Sequence, residues 1–194
     1  MLQRSKNDGA EDLNERIDRT SKTLIEQIDT LSNIATEFSS FAQMPKSTIE
    51  KVDLKQLLES VAELYHNSEV EIELNLEINS EAMVQADKEQ ILRVFNNLIK
   101  NGIQAVEDGT KPKISIGLLR EGTELIASVK DNGSGISEDL KDKIFVPNFT
   151  TKSSGMGLGL AMVKNIIESI NGKIFFTSES GQGTTFFVSF SEDV

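Results

Sequence analysis

The first strongly patterned segment of the chain predicts a long amphipathic helix. No Gly or Pro occurs from Glu11 to Met44, and apolar residues recur there at steps of mostly three and four. Such spacing places them on one narrow stripe, as in a coiled coil. The stripe consists of Leu13, Ile17, Leu24, Ile28, Leu31, Ala35, Phe38 and Ala42. A helix of about 34 residues would be about 50 Å long. It needs a partner helix to cover its stripe, and Pro45 ends it.

After Pro45 the pattern alternates between helical and strand periods. Asp53 and Asp87 are predicted N-caps, the second within a D-x-x-Q capping box. The predicted helices are Leu54 to His66, Asp87 to Val106, Ser137 to Ile144 and Met156 to Ile170. The predicted strands are Glu69 to Ile78, Met83 to Ala86, Lys113 to Leu119, Glu124 to Lys130, Lys173 to Ser178 and Thr184 to Ser191. Helices and antiparallel strands in this order predict an α+β fold, a two-layer sandwich instead of a doubly wound parallel sheet.

Composition narrows the chemistry that this fold can carry. The 194 residues contain 20 Lys and Arg against 31 Asp and Glu, a net charge of −11, with no Cys and one His, His66. Disulfide scaffolds, thiolate zinc sites and cysteine nucleophiles are excluded. A single histidine also excludes metal sites that are built from several histidines. The acidic balance argues against nucleic-acid binding, and no apolar run reaches the roughly 18 residues of a membrane span.

Two asparagines on the predicted helix from Asp87 to Val106 form a candidate metal site. Asn97 and Asn101 are four residues apart, so they lie on one helix face, in a stripe with Gln90 and Gln104. A carboxamide oxygen is a neutral, hard ligand that suits Mg²⁺ carrying waters and phosphates. The alternative is that both asparagines are ordinary solvent-facing residues.

Three later segments suggest a nucleotide. Residues 131–136 (DNGSGI) offer a carboxylate that can accept a hydrogen bond from an amine such as that of adenine, although they also suit a tight turn. Residues 155–160 (GMGLGL) open a helix whose N-terminus attracts phosphates; a hinge is the alternative. Residues 145–154 form a predicted lid in which Lys152 could contact a phosphate; a plain surface loop is the alternative.

In order and spacing these segments, with GQGTTF at residues 181–186, resemble five sequence boxes of one family. They are similar to the N, G1, F, G2 and G3 boxes of the ATP-binding domain of sensor histidine kinases. That Bergerat fold is shared with gyrase, Hsp90 and MutL-type ATPases. The resemblance covers Val52 to Phe190. The sequences FTTK at residues 149–152 and GMGLGL at residues 155–160 are similar to those of the nitrogen-regulation branch of sensor kinases.

The resemblance implies that ATP is the substrate and that Asn101 binds Mg²⁺. Asn97 would line the same site, and Asp131, supported by Thr184, would accept a hydrogen bond from the adenine amino group. Phe149 would pack the lid. The remaining residues expected to flank the base or bind phosphate are Gly133, Gly135, Ile136, Lys152, Gly155, Gly157, Leu158, Gly159 and Leu160. Catalysis would rest on Asn97, Asn101 and Lys152, through positioning and charge stabilisation.

Two positions depart from the family pattern. Many members carry a Lys where this chain has Gln104, so phosphate neutralisation falls more heavily on Mg²⁺, backbone amides and Lys152. The ATPase relatives carry a Glu as general base where this chain has Asn97, which cannot accept a proton at neutral pH. Asn97 therefore favours transfer to a protein acceptor over hydrolysis.

The phosphoacceptor histidine of such kinases lies in a setting like H-E-x-x-x-P, which His66 does not share. The resemblance suggests that residues 1–10 are the remnant of a first hairpin helix and its turn, 11–45 the second hairpin helix and 46–194 the catalytic domain. An acceptor would then precede the chain. We expect the chain to bind Mg·ATP without phosphorylating itself, and Asp131→Asn to abolish binding.

The resemblance also implies partners and a location. The implied partners are a response-regulator receiver domain and, in the parent protein, a second copy of the chain. The implied location is the cytoplasmic side of an inner-membrane sensor, with no contact between this segment and the membrane. The alternatives are a Bergerat ATPase clamp, which would release phosphate steadily, an anti-sigma type protein-serine kinase, which the long helix fits poorly, and a non-catalytic nucleotide sensor or scaffold.

Overall fold

The computed structural model describes residues 15–25, 27–28, 31–32, 47–66, 69–78, 80–107, 109–152 and 156–191. Residues 15–25, 27–28 and 31–32 are helical (α1), and their apolar side chains are exposed. This agrees with the predicted amphipathic helix as far as it is described. Residues 1–10 and the predicted end of that helix lie outside the described residues. No helix in these described ranges is long and apolar enough to cross a membrane.

The helices and strands of residues 46–191 follow the predicted order closely. The remaining helices are α2 (Leu54–Glu63), α3 (Lys88–Gln104), α4 (Glu138–Lys141) and α5 (Gly159–Ser169). The strands are β1 (Glu50–Asp53), β2 (Glu71–Leu76), β3 (Met83–Ala86), β4 (Lys113–Glu121), β5 (Glu124–Asp131), β6 (Lys173–Glu179) and β7 (Gly183–Ser191). Each predicted element occurs; the four helices and β2 are shorter than predicted by a few residues, and β4, β5, β6 and β7 are longer by one or two.

Two strands differ from the sequence prediction. The main sheet has the order β2-β4-β5-β7-β6, and β2 pairs with β4 in parallel, whereas every other pair is antiparallel. The prediction of antiparallel strands is wrong for β2 because α3 crosses over between β2 and β4 and returns the chain in the same direction. Strand β1 was not predicted, since it has four residues of which only Val52 is buried; it pairs with β3 in a separate antiparallel ribbon.

One face of the main sheet packs against helices. Along β4 the buried residues Ile114, Ile116 and Leu118 alternate with less buried ones, which is the pattern of a strand covered on one side. Helices α2, α3 and α5 contact this sheet and bury apolar side chains such as Phe95 and Ile167 completely. The result is the predicted two-layer α+β sandwich, with α3 over the centre of the sheet.

The predicted caps fix the starts of two helices. Asp53 accepts the Lys55 amide at 2.9 Å at the start of α2. Asp87 accepts the Gln90 amide at 3.1 Å through Oδ1 and the Thr48 amide at 2.8 Å through Oδ2. The second bond ties the chain before β1 to the start of α3, so Asp87 stabilises both segments.

Candidate functional site

Asp131 is the last residue of β5, the central strand of the main sheet. Its side chain is 5% exposed, and its Oδ1 accepts two backbone amides, those of Gly133 at 2.8 Å and Thr184 at 3.1 Å. Its Oδ2 accepts no hydrogen bond from the described residues, and no buried polar side-chain atom among them lacks a partner. Oδ2 is therefore open to solvent, or to a ligand.

The surroundings of Asp131 shift its acidity. Burial raises the pKa of the Asp131 carboxyl above its usual value, while the two amide donors and the nearby positive charge of Lys152 act in the opposite direction without cancelling it. A buried carboxylate that keeps one unpaired oxygen is a strong acceptor for an N–H donor.

Gly102 lets α3 approach Asp131 closely. A Cβ on Gly102 would lie 2.8 Å from Ile114 Cδ1, 3.0 Å from Asp131 Cβ and 3.6 Å from Asp131 Oδ2. Any larger residue would push the helix away from the sheet at this point. Because Gly102 directly follows Asn101, the same close approach brings the predicted metal ligand beside the predicted base-binding carboxylate.

The loop after Asp131 is bound to the β6–β7 hairpin. The Ile136 amide donates to Ser178 Oγ at 2.8 Å, and Ser178 Oγ lies 2.9 Å from Thr184 Oγ1. The Gly181 amide donates to the Ser134 carbonyl at 2.7 Å. These bonds fix the position of the loop relative to Thr184, which is itself buried.

The two asparagines of α3 face the start of α5. A Cβ on Gly159 would lie 2.9 Å from Asn97 Oδ1 and 3.9 Å from Asn101 Nδ2. Asn97 Nδ2 donates to the Arg93 carbonyl one turn earlier at 2.8 Å. The N-terminus of α5, with its free amides and partial positive charge, thus lies against the asparagine face of α3.

The 145–152 loop, the described part of the predicted lid, is packed at its middle. Gly157 has a φ of +68°, and a Cβ there would lie 2.3 Å from the Phe149 carbonyl oxygen. The Asn148 amide donates to the Gly157 carbonyl at 3.1 Å. Phe149 packs against the core, and Phe145 contacts Phe176 edge-on at 6.0 Å between ring centroids. Only glycine suits position 157.

At its end the loop brings a cation to α3. Lys152 Nζ donates to Gln104 Oε1 at 2.9 Å and to both the side-chain and backbone oxygens of Asn101 at 3.4 Å. The last turn of α3 contains no basic residue of its own. Lys152 therefore places a positive charge at the negative end of that helix.

Most of the predicted site residues lie together around the second half of α3. The structure places Asn97, Asn101, Asp131, Lys152, Gly159 and Thr184 there. The side chain of Leu158 is buried, and that of Leu160 packs against the core. Gly155 lies outside the described residues. His66 is exposed in the turn after α2.

Two residues that shape the site are not predicted from the sequence: Gly102 permits the approach of α3, and Ser178 links the two loops. A glycine inside a helix next to Asn101 was a signal that could have been used. The sequence places Gln104 on the polar stripe of α3 but does not predict its contact with Lys152, which lies 48 residues further along the chain.

The arrangement fits a cation bound by neutral oxygens. The described residues contain no group of three His, Cys, Asp or Glu that could bind a metal by themselves. Asn101 Oδ1 and Gln104 Oε1 nevertheless converge on a positively charged group, the Lys152 ammonium. A metal ion there would need further ligands from water or phosphate, as Mg²⁺ normally has.

A known family matches the part of the chain that carries these residues. The model for histidine kinase-, DNA gyrase B- and HSP90-like ATPases matches residues 86–194, which include α3, the 131–136 loop and α5. The chain belongs to this family.

Sensor histidine kinases are among the most similar proteins. Sensor histidine kinase ZraS of Escherichia coli is 34% identical over 169 residues, covering 86% of this chain and 36% of ZraS. Nitrogen regulation protein NtrY of Azorhizobium caulinodans is 28% identical over 166 residues, covering 82% of this chain and 21% of NtrY. The chain thus spans about a third or less of the length of these relatives.

Solved histidine kinase structures share the fold. The catalytic domain of histidine kinase ThkA has a TM-score of 0.66 and 32% identity, covering 75% of this chain and 96% of that domain. ThkA in complex with response regulator protein TrrA has a TM-score of 0.71 and 27% identity, covering 87% of this chain and 49% of that chain. The α+β sandwich is therefore the histidine kinase catalytic fold.

Proposed function

We propose that the chain is the ATP-binding catalytic part of a sensor histidine kinase and binds Mg·ATP between α3 and α5. The observation that carries the proposal is the buried Asp131, with Oδ1 engaged by two amides and Oδ2 open. Oδ2 would accept a hydrogen bond from the adenine amino group. Guanine has a carbonyl oxygen at that position, which would repel the carboxylate, so the site would prefer adenine.

The triphosphate would extend from Asp131 towards the start of α5. The amides of Gly157, Leu158 and Gly159 and the helix N-terminus supply donors and partial positive charge there. Asn101 would bind Mg²⁺ through Oδ1, with Asn97 lining the same site; bound Mg²⁺ would neutralise charge on the phosphates. Lys152 is the side-chain cation nearest to Asn101 among the described contacts.

The site supports phosphoryl transfer better than hydrolysis. Asn97 replaces the general base of the ATPase relatives, and its side-chain amide already donates to the Arg93 carbonyl. A neutral carboxamide in that position can orient a group but cannot take a proton from water. The γ-phosphate would therefore pass to a histidine supplied by a dimerisation hairpin.

The wider assembly is proposed by similarity. The complex of ThkA with TrrA supports a response-regulator receiver domain as the next phosphate acceptor. Residues 11–45 would form the second helix of a dimerisation hairpin, with residues 1–10 before it and the catalytic domain at 46–194. The exposed apolar residues of α1 support pairing in a homodimer of the parent protein, a sensor whose catalytic part lies in the cytoplasm.

The proposal is tested by calorimetric titration of the chain with ATP, in the presence and absence of Mg²⁺. We expect saturable binding that tightens with Mg²⁺. Asn101→Ala should remove most of the Mg²⁺ dependence, about tenfold in affinity, while Asn75→Ala on the edge strand β2 should change nothing. Absence of adenine-nucleotide binding would refute the proposal, and steady release of free phosphate would favour an ATPase clamp.

A further inference from the structure

The Lys152 ammonium lies where a cation is bound by oxygens of α3. Among the described residues, its acceptors include Gln104 Oε1 at 2.9 Å and, at 3.4 Å each, Asn101 Oδ1 and the Asn101 carbonyl. Two of them belong to the residue proposed to bind the metal. The third and shortest contact belongs to Gln104, the last residue of α3, for which the nucleotide site has no other use.

Because of these contacts, the Lys152 ammonium and a metal ion at Asn101 would compete for the same place. An ammonium and a divalent cation repel each other, and both require the lone pairs of Asn101 Oδ1. Mg²⁺ at Asn101 would therefore exclude Lys152 from its present position. The freed ammonium would be close enough to turn towards the phosphates that arrive with the metal.

We propose that Gln104 is a positioning residue that keeps Lys152 at the metal-binding end of α3 until Mg·nucleotide displaces it. The inference rests on the proposed function, because it assigns a regulatory contact to the same site. The last turn of α3 has no basic residue of its own, and the cation at this end of the helix comes from the 145–152 loop. Gln104 makes the shortest of the contacts described above that position this ammonium, at 2.9 Å.

The contact between Gln104 and Lys152 is expected to lower the affinity for Mg·ATP by a measurable amount. Mg·ATP has to break the contact between Gln104 and Lys152 before it binds, so the contact opposes binding. Removing an acceptor that positions a competing cation should strengthen binding. A residue with a merely structural role at this site would weaken binding when it is replaced.

The test uses Gln104→Met, which keeps the length and helix propensity of the side chain and removes its acceptor. We expect Mg·ATP to bind up to about fivefold more tightly, the effect of losing one exposed hydrogen bond to a charged group. The gain should vanish in the Lys152→Met background, because Gln104 acts through Lys152. Gln56→Met, an exposed replacement on α2, is the matched control.

A second readout needs no nucleotide. Hydrogen exchange of the Lys152 amide, which donates to Thr150 Oγ1 at 3.0 Å, should become a few-fold faster in Gln104→Met. Unchanged exchange, or equal or weaker Mg·ATP binding by this variant, would overturn the proposal. Failure of the wild-type chain to bind Mg·ATP would instead refute the proposed function, and the exchange experiment would still decide whether Gln104 positions Lys152.

Discussion

The two ends of α3 each lie beside a buried aspartate, and the two carboxylates are used differently. At the N-terminal end Asp87 accepts the Gln90 amide through Oδ1 and the Thr48 amide through Oδ2. Near the C-terminal end both amide donors of Asp131 converge on Oδ1, which leaves Oδ2 without a partner among the described residues. Both carboxylate oxygens of Asp87 therefore accept backbone amides, whereas Asp131 keeps one oxygen that can accept a hydrogen bond from a ligand.

The pKa values of the two carboxyls are shifted in opposite directions. Burial acts to raise the pKa of Asp87, but amide donors from Thr48, Gln90 and Glu89, with the positive charge of Arg93, outweigh it, so the pKa is lowered. For Asp131 burial outweighs the donors and the pKa is raised. A carboxylate that caps a helix stabilises the fold, whereas one that costs stability at neutral pH is expected to be kept for another purpose.

The largest effect on the fold is expected where α3 approaches Asp131. Gly102→Val would place methyl groups within contact of Ile114 and Asp131. We expect a loss of about 3 kcal/mol of unfolding free energy, as for strong overpacking, measured by urea denaturation. Lys100→Val, exposed on the same helix, controls for the β-branched residue. A loss no greater than that of the control would mean that the approach of α3 is unimportant.

A smaller effect is expected at the other end of α3. Asp87→Ala removes a cap and the bond to Thr48, so it should cost about 1–2 kcal/mol of unfolding free energy. Asp87→Asn should cost less, since Asn is also a good N-cap. Neither variant should change ATP affinity by more than about twofold, and a large loss of affinity in the folded Asp87→Asn protein would break the distinction between the two ends.

The smallest effect is the pH dependence of stability, which should have opposite signs at the two sites. The contribution of Asp87 is present above the unfolded pKa of about 3.9 and is lost as the pH falls through its lower folded pKa. The contribution of Asp131 is present below about 3.9 and is lost as the pH rises through its higher folded pKa. Thermal unfolding of the Asp87→Asn and Asp131→Asn variants against wild type across this range should show opposite trends; parallel trends would contradict the assignment.

The sequence predicted local features well because their causes are local. The cap at Asp87 and Gln90 is a short-range motif, and alternating patterns located both hairpins. The parallel pairing of β2 was missed, since its direction depends on where α3 crosses the sheet. Strand β1 was too short to produce a pattern.

The candidate site was predicted largely through the resemblance of its segments to one family. Asn101, Asp131 and Lys152 are spread over about fifty residues, and no local rule brings them together. The contact between Gln104 and Lys152 could not be predicted, because neither position alone indicates that a loop cation reaches the end of α3. Their roles in binding ATP remain predictions for experiment.

The most direct test of the central claim is the relative affinity of Mg·ATP and Mg·GTP for wild type and Asp131→Asn. Because Oδ1 accepts two amides, the new side chain should keep its oxygen there and place its NH₂ group at the Oδ2 position. We predict that ATP affinity falls about a hundredfold while GTP binding is unchanged or improved. Asp142→Asn, an exposed replacement, should leave both affinities unchanged. Undiminished ATP affinity in Asp131→Asn would contradict the claim that Asp131 binds adenine.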